Sequence, residues 1–194
     1  MNQRHKFSMA VMPGLPGTLR RRALAAIFGL LASSASYAAL ISDSVVDFSG
    51  VQGTGSWRYG FYNLSSDVTP GYASTEFAEF DTFLGGNTWR RSIDGDPNVT
   101  GFFLRLSAAS GHPLGIGPGT QNENIWAVRR YAAEASGPLQ VVFDLRKENT
   151  NASGGTTGRI FHNGVEVFSQ LIAGTDGTGV QGAIVLNAAL GDLI

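Results

Sequence analysis

Ile125 to Lys147 reads Ile-Trp-Ala-Val-Arg-Arg-Tyr, then Ala-Ala-Glu-Ala-Ser-Gly-Pro, then Leu-Gln-Val-Val-Phe-Asp-Leu-Arg-Lys. In its last third Leu139, Val141, Phe143 and Leu145 alternate with Gln140, Val142, Asp144 and Arg146, the period-two pattern of a half-buried strand. The first third is rich in β-branched and aromatic residues, and Ser136-Gly137-Pro138 carries turn chemistry, so a long hairpin near the middle of a sheet is expected. Adjacent strand residues face opposite sides, so one of Arg129 and Arg130 must point to the buried face. Arg130 shares a face with Trp126 and Val128 and is expected to be the inward one. Either arginine could be held structurally, against Glu134, Asp144 or loop carbonyls, or could recognise a carboxylate, sulfate or polyol in a concave site.

The rest of the chain from Ala39 onward has the same texture, short apolar or aromatic runs separated by Gly, Asn, Asp, Ser and Pro clusters. That is the signature of an all-β chain, here an antiparallel β-sandwich of jelly-roll type. Trp57, Tyr59 and Phe61 share one strand face, with Gly60 marking a bulge or a close backbone approach. The glycine-rich stretch before them lacks the Lys and Ser/Thr of a phosphate-binding loop and reads as a connection. Asn163-Gly164 is the favoured pair for a two-residue type I′ turn, which sets His162 opposite Val165, Phe161 opposite Glu166, Ile160 opposite Val167 and Arg159 opposite Phe168. Ile160, Val165 and Val167 are then expected on the core face, with Arg159 against the Phe168 ring.

Residues 1–38 have a basic start with Arg4, Lys6, Arg20, Arg21 and Arg22, an apolar run from Ala23 to Leu31, and small residues ending at Ala38. These are the three parts of a secretory signal peptide, with cleavage after Ala38 and a single β domain over residues 39–194. Export is expected, to the periplasm, cell surface or outside, with membrane contact only through an uncleaved signal. The signal takes five of the 14 Lys and Arg residues and none of the 15 acids, so the remainder is net acidic. Nucleic acid is therefore excluded as the natural partner. There is no cysteine, so no disulfide framework supports the fold. Leu193 reads as the start of a strand with nothing to continue it. A domain cut short at its C-terminus is expected, with Ala188 to Ile194 a loosely held edge.

Candidate chemistry is sparse. Trp57, Tyr59, Trp89, Trp126 and Tyr131 are candidate sugar platforms, because flat rings stack on the apolar faces of sugars; they are equally candidate core residues. His112, in the long loop from Ser107 to Asn124, joins Arg129 and Arg130 as a candidate polar contact. Asp94, Asp96 and Asn98 alternate oxygens as in the first part of a calcium loop, but Val99 stands where glycine is needed, so they are only a weak metal candidate. No cofactor is expected. Glu79 and Asp81 share a strand face and would serve a hydrolase or lyase on the same scaffold, with Arg129 or Arg130 stabilising charge and His112 carrying the proton.

Gly-Ser-Trp-Arg-Tyr-Gly-Phe-Tyr at 55–62, His112-Pro113, Trp126 to Tyr131, and Gly158 to Phe168 together resemble exported bacterial β-sandwich modules of the kind found in PEP-CTERM sorting-signal proteins. The resemblance covers most of residues 43–194. It implies a Gram-negative exported protein associated with extracellular polysaccharide, and it brings no active site. The sequence as it stands lacks the Pro-Glu-Pro motif, apolar helix and basic tail of that sorting signal. The expected function is a non-catalytic module that binds polysaccharide or serves as a structural matrix part, with the hydrolase or lyase as the alternative.

Overall fold

A computed structural model describes residues 3–11, 39–69, 71–92, 104–116, 123–151 and 154–194. Thirteen strands lie among them: β1 (Gln3–Val11), β2 (Ala39–Asp43), β3 (Trp57–Asn63), β4 (Ala78–Glu79), β5 (Thr82–Leu84), β6 (Thr88–Arg90), β7 (Arg105–Ser107), β8 (Ser110–His112), β9 (Ile125–Tyr131), β10 (Gly137–Lys147), β11 (Thr156–His162), β12 (Val165–Ile172) and β13 (Val180–Ala188). No α-helix occurs among the described residues, and the expected all-β class holds. The largest sheet runs β13-β10-β1-β8-β7-β6-β5, with β2 beside β1; a second runs β4-β3-β9, and β11 and β12 form a hairpin. Of residues 1–38, expected as an export signal, only 3–11 are described, and they lie between β10 and β8.

The alternation in β10 holds: Leu139, Val141, Phe143 and Leu145 are buried, while Val142 is exposed. The expected hairpin with Ile125–Tyr131 does not form. β9 pairs with β3, and β10 with β1 and β13. The reason lies just past β9, where the Ala132 amide donates to the Ser56 carbonyl at 3.0 Å and the Ala133 amide to Asp192 at 2.8 Å. The chain is thus held at one sheet before it reaches Ser136. Gly137, at φ 137°, begins the strand in the other sheet.

The Asn163-Gly164 turn forms as expected, with φ of 51° and 84° at its two central residues. His162 and Phe161 also face Val165 and Glu166 as the turn dictates. A bulge between Ile160 and Phe161 then puts Ile160 opposite Phe168 and Arg159 opposite Ser169. One skipped residue swaps faces for the rest of the strand. Phe168 turns onto the Phe143 ring at 4.4 Å, whereas Val165 and Val167, expected in the core, are exposed.

Two buried clusters result. One is fed by both sheets and contains Trp57, Tyr59, Tyr131, Phe80, Trp89, Leu106 and Met9. The other lies where the β11-β12 hairpin meets β10 and β13, around Val141, Phe143, Leu145, Ile160 and Leu186. Ile194 packs against both. Full burial of each large apolar side chain contributes about 1.5 to 3 kcal/mol, so the larger cluster dominates.

Ala188 to Ile194 is not the loosely held edge that was expected. Tyr131 and Ile194 exchange two backbone hydrogen bonds, at 2.8 and 2.9 Å, and the Gly191 amide reaches Ala133 at 2.7 Å. On the other side the Leu193 carbonyl accepts from the Asn163 amide at 2.8 Å, and its amide donates to Asn163 Oδ1. Asp192 Oδ2 accepts from His162 Nε2 and from the Ala189 amide, both at 2.8 Å. Those bonds, that of Ala189 foremost, hold the Asp192 carboxyl at about 2.

Gly60 is a close backbone approach, as its place in the strand suggests. A Cβ there would sit 2.1 Å from the Ala78 carbonyl oxygen and 2.7 Å from the Phe77 ring. Gly60→Ala should therefore lower the urea midpoint by the equivalent of about 1 to 3 kcal/mol, since backbone on the far side cannot yield. A midpoint equal to that of the parent would show that β4 can move away.

Candidate functional site

The register of β3 against β9 decides which arginine is inside. Tyr59 pairs with Arg129 and Arg58 with Arg130, so Arg129 shares the inward face of Trp57, Tyr59 and Tyr131. This reverses the expected assignment of Arg130. Trp126 is on the outer face, and what looked like the more apolar side of the strand is a second, outer cluster of rings. Arg129 Nη1 donates to the Ala108 carbonyl at 2.7 Å, and to the Ser44 carbonyl and hydroxyl at 3.2 and 3.1 Å; Nη2 donates to the Ser107 carbonyl. Burial pushes its guanidinium down to about 10, with the Tyr59 and Asp43 charges acting the other way. It therefore remains charged at neutral pH and ties the loop between β7 and β8 to the turn after β2. Arg130 lies over the Phe77 ring at 4.0 Å and donates to the Ser74 carbonyl at 3.1 Å.

Four of the five candidate platforms are core residues. Trp57, Tyr59 and Trp89 are buried, and the two indole N–H groups are already committed, Trp57 to Ser42 Oγ at 2.6 Å and Trp89 to the Ser49 carbonyl at 2.8 Å. Tyr131 is buried as well. Their faces are closed to a ligand because the inward face of β3 and β9 lies against the large sheet.

Trp126 is different. Its ring packs edge-on against Tyr62 at 5.0 Å and lies 6.1 Å from Phe161, and Tyr72 meets Phe161 at 4.9 Å. Arg159 sits over the indole at 5.0 Å and is paired with Glu166, rather than with the Phe168 ring. Tyr72, Trp126, Arg159, Phe161 and Glu166, with Leu64, Gly71 and Gly164, line an open recess of about 380 Å³. Burial, with Asp67 accepting its hydroxyl proton, pushes the phenol of Tyr62, which packs against Trp126, up to about 12, so it stays neutral. The recess offers flat apolar rings beside a cation and a carboxylate at the rim, chemistry that suits a polyhydroxylated ligand. Tyr72, Arg159, Phe161 and Glu166 were not legible as site residues, because they come from distant segments. The Asn-Gly turn that brings Phe161 and Glu166 together was the one available signal.

The remaining candidates do not converge. His112 is buried, its Nδ1 2.8 Å from the Pro113 carbonyl, and burial pushes it down to about 4. Glu79 pairs with Arg58 on the outer face. Asp81 takes the Ser92 amide at 2.7 Å and the Ser92 hydroxyl; burial raises its carboxyl, and these bonds more than offset that, leaving it lowered. The hydrolase or lyase constellation of Glu79, Asp81, Arg129 or Arg130 and His112 is not brought together by these contacts. Asp94, Asp96 and Asn98 lie outside the described residues. Among the described residues no group of three His, Asp or Glu side chains could hold a metal ion, and no helix is long and apolar enough to cross a membrane. No protein-family model, curated protein or solved structure matches the chain.

Arg129→Ala would strand the Ser107, Ala108 and Ser44 acceptors, a loss of about 3 to 5 kcal/mol in urea unfolding, whereas Arg130→Ala should cost about 1 kcal/mol. Equal losses would contradict the register-based assignment. His112 gives a pH signature. Its folded form stays neutral down to about 4, while the unfolded chain takes the proton at about 6.5. Its contribution to stability is thus complete above pH 6.5 and lost as pH falls toward 4, by about 1 to 2 kcal/mol after allowance for solvent screening. His112→Gln should flatten the drop in urea midpoint between pH 7.5 and 4.5; an unchanged drop would place the titration elsewhere.

Proposed function

We propose that the protein is a non-catalytic exported module that holds extracellular polysaccharide, or another polyhydroxylated matrix component, in the Trp126 recess. The observation that carries this reading is the contrast among the candidate platforms: Trp57, Tyr59 and Trp89 are sealed in the core, while Trp126 lines an open recess with Arg159 and Glu166 at its rim. A ring face for the apolar side of a sugar, with a guanidinium and a carboxylate for its hydroxyls, is a complete minimal contact set. The net acidic character of residues 39–194 favours a neutral glycan over a strongly anionic one. Residues 1–38 carry the basic, apolar and small-residue segments of an export signal. The two sheets form a sandwich of jelly-roll type, and the resemblance to modules of PEP-CTERM proteins supports a role at the surface or in the matrix of a Gram-negative cell.

Retention on immobilised neutral polysaccharides is the test. Trp126→Ala should weaken binding by about tenfold or more, because base loss of one stacked ring and its contacts is worth about 1 to 2 kcal/mol. Trp126→Phe should retain most of it, and Arg58→Ala, which removes a guanidinium paired with Glu79 and not among the recess residues, should leave it unchanged. No retention of the parent protein on any polysaccharide would overturn the binding reading in favour of a structural one.

A further inference from the structure

Tyr62, Tyr72, Phe161 and Trp126 form a closed circuit of rings. Tyr62 meets Tyr72 at 5.4 Å, Tyr72 meets Phe161 at 4.9 Å, Phe161 meets Trp126 at 6.1 Å, and Trp126 returns to Tyr62 at 5.0 Å. Tyr72, Trp126 and Phe161 line the recess, while Tyr62 is buried against Trp126. Burial raises both phenols; at Tyr62 Asp67 and Glu76 add to the rise, and at Tyr72 Arg130 opposes it while Glu76 adds to it. All four rings are therefore neutral at ordinary pH, and each face carries the negative side of the ring quadrupole.

The protein itself shows what this surface prefers. Arg159 Cζ lies 5.0 Å from the centre of the Trp126 ring, within the range of a cation–π contact, and the same guanidinium is paired with Glu166, which also lines the recess. A cation with a carboxylate beside it is thus the group already seated there. Its hold is weak: the Arg159 side chain is 34% and that of Glu166 37% exposed, and ion pairs at such exposure contribute little. When Arg159 turns out to solvent it leaves a ring face and a carboxylate open to another cation. Anions are disfavoured, because Asp67 and Glu76 stand near these rings in addition to Glu166, and residues 39–194 are net acidic.

Resting on the glycan reading of the recess, we propose that the sugar unit held there is an amino sugar with a free amine, whose ammonium takes the place of Arg159 over Trp126 and donates to Glu166. The sugar ring lays its apolar face on the aromatic wall, and its charged N–H groups, which a quaternary ammonium lacks, reach the carboxylate. An uncharged sugar leaves Arg159 at the rim, where the guanidinium donates to hydroxyls. An amino sugar displaces it, since one ring face and one carboxylate serve one cation. Glu166 is then the residue that selects the amine, and Arg159 is the built-in competitor that the amine must replace. The recess, at about 380 Å³, lies toward the small end of ligand pockets, which run from about 300 to 1,000 Å³, so it reads a short stretch of chain.

The probe is a glucosamine trisaccharide with free amines, set against its fully N-acetylated counterpart, both titrated into the protein at a pH below the pKa of the amines. Fluorescence reports on Trp126, because Trp57 and Trp89 are buried with their indole N–H groups bonded in the core. The free-amine form should bind about tenfold tighter than the acetylated one, the scale of a desolvated cation–π contact. Glu166→Gln should abolish that difference. Arg159→Gln should raise affinity for the free-amine form by about threefold, the worth of an exposed ion pair, without raising that for the acetylated form. Equal affinities in the parent protein overturn the amino-sugar assignment and leave the recess to uncharged glycans. So does a difference that Glu166→Gln leaves intact. Trp126→Ala keeps every charge, so an amine preference that survives it in calorimetry is mere attraction of a cation to an acidic protein and equally overturns the assignment. Choline that binds more tightly than the free-amine trisaccharide would give the recess to a quaternary ammonium instead, again overturning it. No retention of any polysaccharide removes the glycan reading itself, and this assignment with it.

Discussion

A single guanidinium, that of Arg129, ties β9 of the smaller sheet to two parts of the largest one, the turn after β2 and the loop between β7 and β8. A buried cation is tolerable only where fixed dipoles replace water, and the carbonyls of Ser44, Ser107 and Ala108 do so. The arrangement is selective for arginine. A lysine would offer one point of charge where a fork must reach several oxygens. With Arg129 inside, the register of β3 and β9 follows, and with it the burial of Trp57, Tyr59 and Tyr131 on one face and the placement of Trp126 and Arg130 on the other.

That division of faces explains why the aromatic residues differ in role although they look alike in the sequence. Those on the inward face of β3 and β9 are enclosed by the large sheet and have their polar atoms bonded within it. Trp126, one residue out of phase, meets Tyr62, Phe161 and Arg159, and the hairpin carrying the last two is not paired with β9 among the described residues. The recess thus follows from the separation between β9 and β11. Side chains bridge that separation on the outer face, while the backbone edges beneath remain apart.

The C-terminal residues belong to the same account. Leu193 and Ile194 are bonded toward both sides of the gap, and Asp192 gathers the Ala189 amide and His162. A short segment with this many partners acts as a clamp between β9 and the β11-β12 turn. Its low Asp192 carboxyl reflects fixed donors close by, foremost the Ala189 amide, rather than burial.

The all-β class was legible from the sequence because alternation in Leu139–Leu145 and the Asn163-Gly164 turn are local signals: period two and positive φ depend only on neighbours along the chain. The close approach at Gly60 was legible for the same reason. Which strands pair was not. Ile125–Tyr131 and Gly137–Lys147 are consecutive and separated by turn residues, yet they enter different sheets, because the bonds that hold Ala132 and Ala133 come from Ser56, Gly191 and Asp192. Inwardness of Arg129 over Arg130 likewise depends on its pairing with Tyr59, and the replacement of Val167 by Phe168 opposite Ile160 on one bulge. A face is a property of the pleat, which sequence gives up to a single-residue shift; only the partner strand fixes that shift, and partners come from far along the chain.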